Sequence, residues 1–203
     1  MASSTRALEG GFENPVMDSQ VVFRAIMEAM SMPGTIVSCS AVVQPPPPLQ
    51  PALGAVVCAL CDHDTAVWLD PFLKDGAAVE GWLAFQTGAP VVEEPEDCTF
   101  ALVGDPTSMP SLDRFAQGSQ EYPDRSSTLV LQVPTLTGGQ QLSLAGPGIA
   151  EKASIAPRGL PGNFLEQWAS NRARFPRGVD VVLAAGDTVA CLPRTVRITL
   201  AEN

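Results

Sequence analysis

The stretch PALGAVVCALCDHDTAVWL, Pro51 to Leu69, carries a helix, a turn and a strand in succession, and that order decides the fold class. Leu53, Val56, Val57 and Leu60 recur at i, i+3, i+4 and i+7, the spacing of one buried helical face. Pro51 suits the first turn, where a missing N–H costs no hydrogen bond. Asp62–Thr65 then leads the chain out of the helix. Ala66–Leu69 (AVWL) follows as a short buried strand.

The same stretch raises a chemical question. Cys58 and Cys61 sit three apart, and His63, the one histidine of the chain, lies between Asp62 and Asp64. A structural zinc site needs a second pair of ligands, and the sequence holds no other C-x-x-C. Three ligands and a water would suffice for a catalytic metal. A redox C-x-x-C belongs at a helix N-terminus, where the dipole favours a thiolate, whereas these cysteines end a helix. Small buried hydrophobes on the flank of an apolar stripe explain both cysteines equally well. No metal ligand is therefore assigned. Asp62, Asp64 and Thr65 are expected to bond nearby backbone N–H groups in the turn.

Upstream, Asp18 or Ser19 is the expected cap of a helix that buries Val22, Phe23, Ile26, Met27 and Met30. Arg24 and Glu28, four apart on the other side, are spaced to pair. Pro33-Gly34 suits a type II turn, and Thr35–Val43 reads as a strand. Pro45–Pro48 reads as a stiff polyproline spacer. Residues 1–11 read as a flexible tail.

Downstream, Ala78–Gln86 is a predicted helix burying Val79, Trp82, Leu83 and Phe85 and ended by Gly88. Asp97–Val103 is a strand and Pro110–Gln117 a short helix. Ser127–Val133 is a strong strand that Thr137-Gly138-Gly139 turns into Gln141–Leu144. Asn163–Arg174 is a helix burying Phe164, Leu165 and Trp168. Val179–Ala184 and Val189–Leu192 form a hairpin about Gly186-Asp187, and Val196–Leu200 is the last strand. Early alternation and late hairpins predict one α/β domain over residues 1–203, a mixed sheet with helices on both faces.

Composition narrows the function. The chain has 203 residues, is 45% hydrophobic and carries a net charge of −10, against a role in general nucleic-acid binding. Five cysteines, an odd number, offer no disulfide framework. With no signal peptide and no membrane-length apolar run, a soluble cytoplasmic protein is expected. There is no G-x-S-x-G, no P-loop and only two lysines, Lys74 and Lys152. No catalytic residue is assigned.

Charge is uneven along the chain. Residues 1–124 balance at −13 and residues 125–203 at +3. Segregated surface charge explains this, and so does an arginine-bearing face for an anion. The candidate anion contacts are Arg24, Arg177 and Arg194, with the loop AGPGIAEK, whose Gly146, Gly148 and Lys152 could cradle a phosphate. The two glycines equally suit a loop after a strand.

The segments FRAIMEAMSMPGTI (Phe23–Ile36), LCDHDTAVWL (Leu60–Leu69), FQTGAP (Phe85–Pro90), STLVLQV (Ser127–Val133), LAGPGI (Leu144–Ile149), FPRGVDVVLAAG (Phe175–Gly186) and LPRT (Leu192–Thr195) together resemble the PhnH family. The likeness runs in order from about Phe12 to Leu200. It implies a subunit of the bacterial carbon–phosphorus lyase core complex, a homodimer that assembles with PhnG, PhnI and PhnJ. It implies a fold like the large domain of pyridoxal-phosphate-dependent transferases, without the cofactor. The step it implies for the assembly joins an alkylphosphonate to the ribose of ATP, giving a ribose 1-phosphonate 5-triphosphate. Radical C–P cleavage belongs to PhnJ and nucleosidase chemistry to PhnI, which leaves this subunit without a catalytic role of its own. The D-x-D-T turn of Asp62, Asp64 and Thr65 belongs to the family pattern, whereas the cysteines and His63 do not. Two alternatives stay open: a subunit that binds a phosphonate or nucleotide at an arginine-lined site, and a relic pyridoxal-phosphate enzyme.

Overall fold

A computed structural model describes residues 8–39, 43–76 and 78–201. Helices α1 (Pro15–Ser31), α2 (Pro51–Leu60), α3 (Pro71–Lys74), α4 (Val79–Thr87) and α5 (Phe164–Ala173) accompany ten strands. The strands are β1 (Val37–Ser38), β2 (Val67–Leu69), β3 (Val91–Val92), β4 (Phe100–Val103), β5 (Thr128–Gln132), β6 (Leu142–Ala145), β7 (Ala153–Ile155), β8 (Asp180–Ala185), β9 (Thr188–Leu192) and β10 (Arg197–Leu200).

Seven strands form a mixed sheet in the order β1-β9-β8-β5-β4-β2-β3. Strands β3, β2, β4, β5 and β8 run parallel, while β9 and β1 are antiparallel. Side chains alternate across such strands, so neighbours in sequence enter different cores. Val67, Leu69, Leu102, Val130 and Val182 pack beneath α1, α2 and α4. Trp68, Ala101, Val103, Leu129 and Leu131 face the other way. That second face carries a helix, as expected, together with a small sheet that the pattern does not predict. It is covered by α5, through Phe164 and Trp168, and by a small antiparallel sheet, β10-β6-β7.

The stretch Pro51–Leu69 folds as its pattern requires: helix α2, a turn, then β2, all three of whose residues are buried. Helix α1 departs from its reading. It starts a turn early, capped by Asn14: the Asn14 side chain accepts from Met17 N at 3.3 Å, and Asp18 accepts from Asn14 N at 2.9 Å. Its buried face is Val22, Ala25, Ile26 and Ala29, whereas Phe23 and Met27 are exposed. The two alanines let α1 lie close on β9 and α2, which turns the larger side chains outward.

Other elements differ in extent. The strand expected over Thr35–Val43 is only Val37–Ser38 among the described residues, and positions 40–42 lie outside them. The strand at Asp97–Val103 begins at Phe100, after a 3-10 turn at Pro95–Asp97. The helix at Pro110–Gln117 is one 3-10 turn, Leu112–Arg114. Strands β5 and β6 are not a hairpin. The turn between them bonds residues 156–158 instead, Gly139 N to Ala156 O at 2.8 Å, and carries the chain to the small sheet. Phe85, expected in the core, is 66% exposed.

The carboxyl ends of the parallel strands, the usual ligand position in α/β sheets, are occupied by the chain itself. The buried carboxylate of Asp70 accepts from Leu73, Gly104 and Asp105 N–H groups, each at 2.9 Å. Gln132 donates to Pro48 O at 3.1 Å and accepts from Gln50 N at 2.8 Å. The polyproline run is therefore packed onto the sheet rather than a free spacer. Residues 8–10 of the expected tail are also held. Trp82 Nε1 donates to Glu9 O at 2.9 Å, Gln86 Nε2 to Leu8 O at 2.7 Å, and Gln44 N to Gly10 O at 2.8 Å. Residues 1–7 lie outside the described residues. Among the described residues no helix is long and apolar enough to cross a membrane.

Candidate functional site

The β8–β9 hairpin sets Asp180, at the start of one strand, beside Arg194, just past the end of the other. Asp180 Oδ1 accepts from Arg194 N at 2.7 Å and from Nε at 3.1 Å, and Oδ2 accepts from Nη2. Nη2 also donates to Ser126 Oγ at 2.6 Å, and Nη1 donates to Pro123 O at 2.9 Å and Pro176 O at 3.3 Å. A guanidinium has five N–H groups, and all five are engaged. Arg194 therefore holds three chain segments together and has no donor left for an anion. This corrects the expectation placed on it.

Around this staple the family segments converge. A depression of about 330 Å³ is lined by Pro147 of LAGPGI, Phe175 of FPRGVD, Arg194 and Thr195 of LPRT, and Arg172 from the end of α5. The wall is built by close approach. A Cβ on Gly146 would stand 3.2 Å from Thr195 O. Gly148, at φ +80°, lies against the Ser31 carbonyl at the end of α1, so that a Cβ would overlap it. A Cβ on Gly34 would stand 2.8 Å from Ala153 Cβ. The glycines of the two loops thus fit α1 onto the small sheet, a packing role in place of an anion cradle.

The remaining candidates do not join this site. Arg24 is exposed on α1 and makes no ion pair, with Glu28 or otherwise, among the described residues. Lys152 lines a different depression, on the small sheet, with Ser143, Ser154 and Thr199. Arg177 is exposed in the turn after Phe175. Arg172 belongs to the arginine-rich C-terminal third and Phe175 and Thr195 to the family segments, but none of the three is among the candidate contacts read from the sequence. Phe175 had a signal, since it is a large apolar residue just beyond the stripe of its helix.

The turn after α2 behaves as its residue types require. Asp62 Oδ1 accepts from Asp64 N at 3.0 Å and from Thr65 Oγ1 at 2.7 Å. The Thr65 hydroxyl and the Asp64 N–H hold the Asp62 carboxyl below its usual range. His63 is exposed, 3.4 Å from Asp64, and its Cβ lies near Gly88 of FQTGAP. Burial pushes the Cys58 and Cys61 thiols up to about 12, the reverse of an activated nucleophile. Among the described residues no three His, Cys, Asp or Glu side chains are grouped to hold a metal ion.

The chain is similar to known proteins along nearly all of its length. Residues 10–199 match the family described as "Bacterial phosphonate metabolism protein (PhnH)". The "Alpha-D-ribose 1-methylphosphonate 5-triphosphate synthase subunit PhnH" of Rhizobium meliloti (strain 1021) is 48% identical over 198 residues, 98% of each chain. The "Putative C-P lyase subunit protein HtxG" of Stutzerimonas stutzeri is 31% identical over 181 residues, 89% of this chain and 86% of that one.

Proposed function

The chain belongs to the PhnH family of bacterial phosphonate metabolism proteins, and from that membership we propose that it is a subunit of a carbon–phosphorus lyase assembly. The observation that carries the reading is the end-to-end relation, at 48% identity, to a chain named as a subunit of ribose 1-methylphosphonate 5-triphosphate synthase. In this reading the assembly joins an alkylphosphonate to the ribose of ATP, and this chain supplies surface and support rather than a bond-making group. Its most reactive side-chain types fit that division of labour: the thiols Cys39, Cys61, Cys98 and Cys191 are buried and the single histidine is exposed in a turn.

Assembly needs an interface, and α1 offers one. Of twelve large hydrophobic side chains exposed among the described residues, five lie on α1 and two more, Met32 and Ile36, follow it. Val16, Phe23 and Met27 recur at i, i+7 and i+11, one outward stripe of the helix. Such a concentration on one element is the mark of a protein contact. The partners proposed for it are a second copy of the chain and subunits of the PhnG, PhnI and PhnJ types. The fold is proposed to be similar to the large domain of pyridoxal-phosphate-dependent transferases, without the cofactor.

The test is molecular mass by light scattering, for the chain alone and co-expressed with PhnG, PhnI and PhnJ type subunits of the same organism. A dimer that enters a larger stoichiometric complex is expected. A chain that stays apart from all of them overturns the reading.

A further inference from the structure

We propose that the depression between α5 and the loop at Pro147 binds a nucleoside phosphate, with the base on the face of Phe175 and the phosphate on Arg172 and the Thr195 hydroxyl. Three observations carry this. Phe175 is 61% exposed although it lies just past the cap of a helix whose aromatic residues, Phe164 and Trp168, are buried. Its backbone is held from several sides. Asn171 clamps Val179 with bonds of 2.9 and 2.8 Å, Phe175 N donates to Arg172 O at 3.1 Å, Gly178 N donates to Gln117 O at 2.9 Å, and Arg194 binds Pro176 O. An exposed aromatic on so fixed a turn is a platform rather than a stray surface residue.

Arg172 supplies the charge. It lines the same depression, is exposed, and makes no ion pair among the described residues. Two neighbouring arginines are committed, since Arg174 bonds Gln117 at 3.0 Å and faces Asp113 at 3.7 Å and Arg194 is saturated, while the exposed Arg177 does not line the depression. Thr195 lines the depression too, and its hydroxyl has no hydrogen bond among the described residues. A π face, a planar cation and a hydroxyl around about 330 Å³ match a base and a phosphate. A bare phosphate would leave Phe175 without a role, and an acidic peptide would not need the concavity.

The site deepens the subunit reading above, because it gives this chain a ligand of its own within the assembly. The experiment is calorimetric titration of ATP, adenosine and tripolyphosphate into the full chain. It is repeated with Phe175→Ala, Arg172→Gln and, as a control on the 3-10 turn, Arg114→Gln. ATP should bind saturably, and adenosine and tripolyphosphate at least tenfold more weakly. Phe175→Ala and Arg172→Gln should each weaken ATP at least tenfold with an unchanged thermal midpoint, and Arg114→Gln should match the parent. No ATP heat, ATP binding indifferent to both substitutions, or tripolyphosphate binding as tightly as ATP overturns the site. Co-expression of Phe175→Ala with the partner subunits separates the two proposals. A variant that assembles fully while the parent chain binds no ATP sinks the site alone. A parent chain that binds ATP but does not assemble sinks the subunit reading and leaves the site standing.

Discussion

Arg194 and Asp180 are joined by a forked ion pair in which the arginine also bonds Pro123, Ser126 and Pro176, so one side chain ties the hairpin β8–β9 to two separate loops. The two side chains keep only 13% and 21% of their surface in water. A pair this dry is costly to break from one side, because the survivor stays charged with fewer partners. Asp180→Asn or Arg194→Lys is expected to cost about 2–3 kcal/mol, less than a fully buried pair. Lysine cannot reproduce the fork. Urea unfolding checks this, and a change below about 0.5 kcal/mol, the range of an ordinary surface substitution, would refute the staple.

On α1, the outward stripe predicts assembly without stability. Phe23→Ser with Met27→Ser should leave the unfolding free energy within about 0.5 kcal/mol of the parent. The same variant should lower the mass in solution to that of a monomer and reduce capture of the partner subunits. Retention of the parental mass would move the interface elsewhere.

Gly148 and Gly81 make a matched pair of tests. Gly148 has φ +80° and no room for a Cβ beside the Ser31 carbonyl, so Gly148→Ala should cost about 3 kcal/mol through strain and clash. Gly81 lies within α4 with nothing within 4 Å of an added Cβ, and Gly81→Ala should stabilise by about 0.5–1 kcal/mol. Thermal melts of both variants decide it. Equal effects would mean that the loop at Gly148 yields freely.

The cysteines predict an alkaline limit. Burial, with a smaller contribution from Asp187, raises the Cys39 thiol from 9.0 to about 11, and burial raises Cys58, Cys61 and Cys191 to about 12. In the unfolded chain these thiols ionise first, so the folded form binds more protons above pH 9. The stability they contribute is whole below about pH 9 and is lost as pH climbs towards 11 and 12. Each thiol lowers stability by about 1.4 kcal/mol per pH unit within its own window. The urea midpoint should fall between pH 8 and pH 10, and Cys191→Ala should make the fall shallower. At pH 8 the native thiols should react slowly with a thiolate-specific reagent, and all five quickly once unfolded. Rapid native labelling of Cys58 or Cys61 would reopen a redox role.

Local elements were legible wherever a residue type constrains its own neighbourhood. Leu53, Val56, Val57 and Leu60 specify a helix by spacing alone. Asp62 and Thr65 specify a turn because their side chains bond within it. Pro15 starts α1 a turn ahead of Asp18 and Ser19, because proline suits the first helical position, and so Asn14 is the cap. The buried face of α1 is ambiguous in the sequence for a different reason. Large apolar residues at helical spacing can face either a core or a partner, and the sheet selected the face with Ala25 and Ala29.

The candidate site was legible only in pieces. LAGPGI, FPRG and LPRT stood out as segments, but nothing local says that Pro147, Phe175 and Thr195 share a wall. The sequence by itself determined the α/β class, the helix–turn–strand of Pro51–Leu69, the hairpin β8–β9 and the lack of a local catalytic motif. Each of these follows from periodicity, turn chemistry or residue type within a few positions of the chain. Tertiary structure alone decided that Arg194 is spent on Asp180 and three other residues, that Gly148 answers to Ser31, and that Arg172 keeps its donors. A guanidinium is drawn to whatever acceptors the fold sets around it, and those acceptors come from segments as many as 71 positions away in the chain.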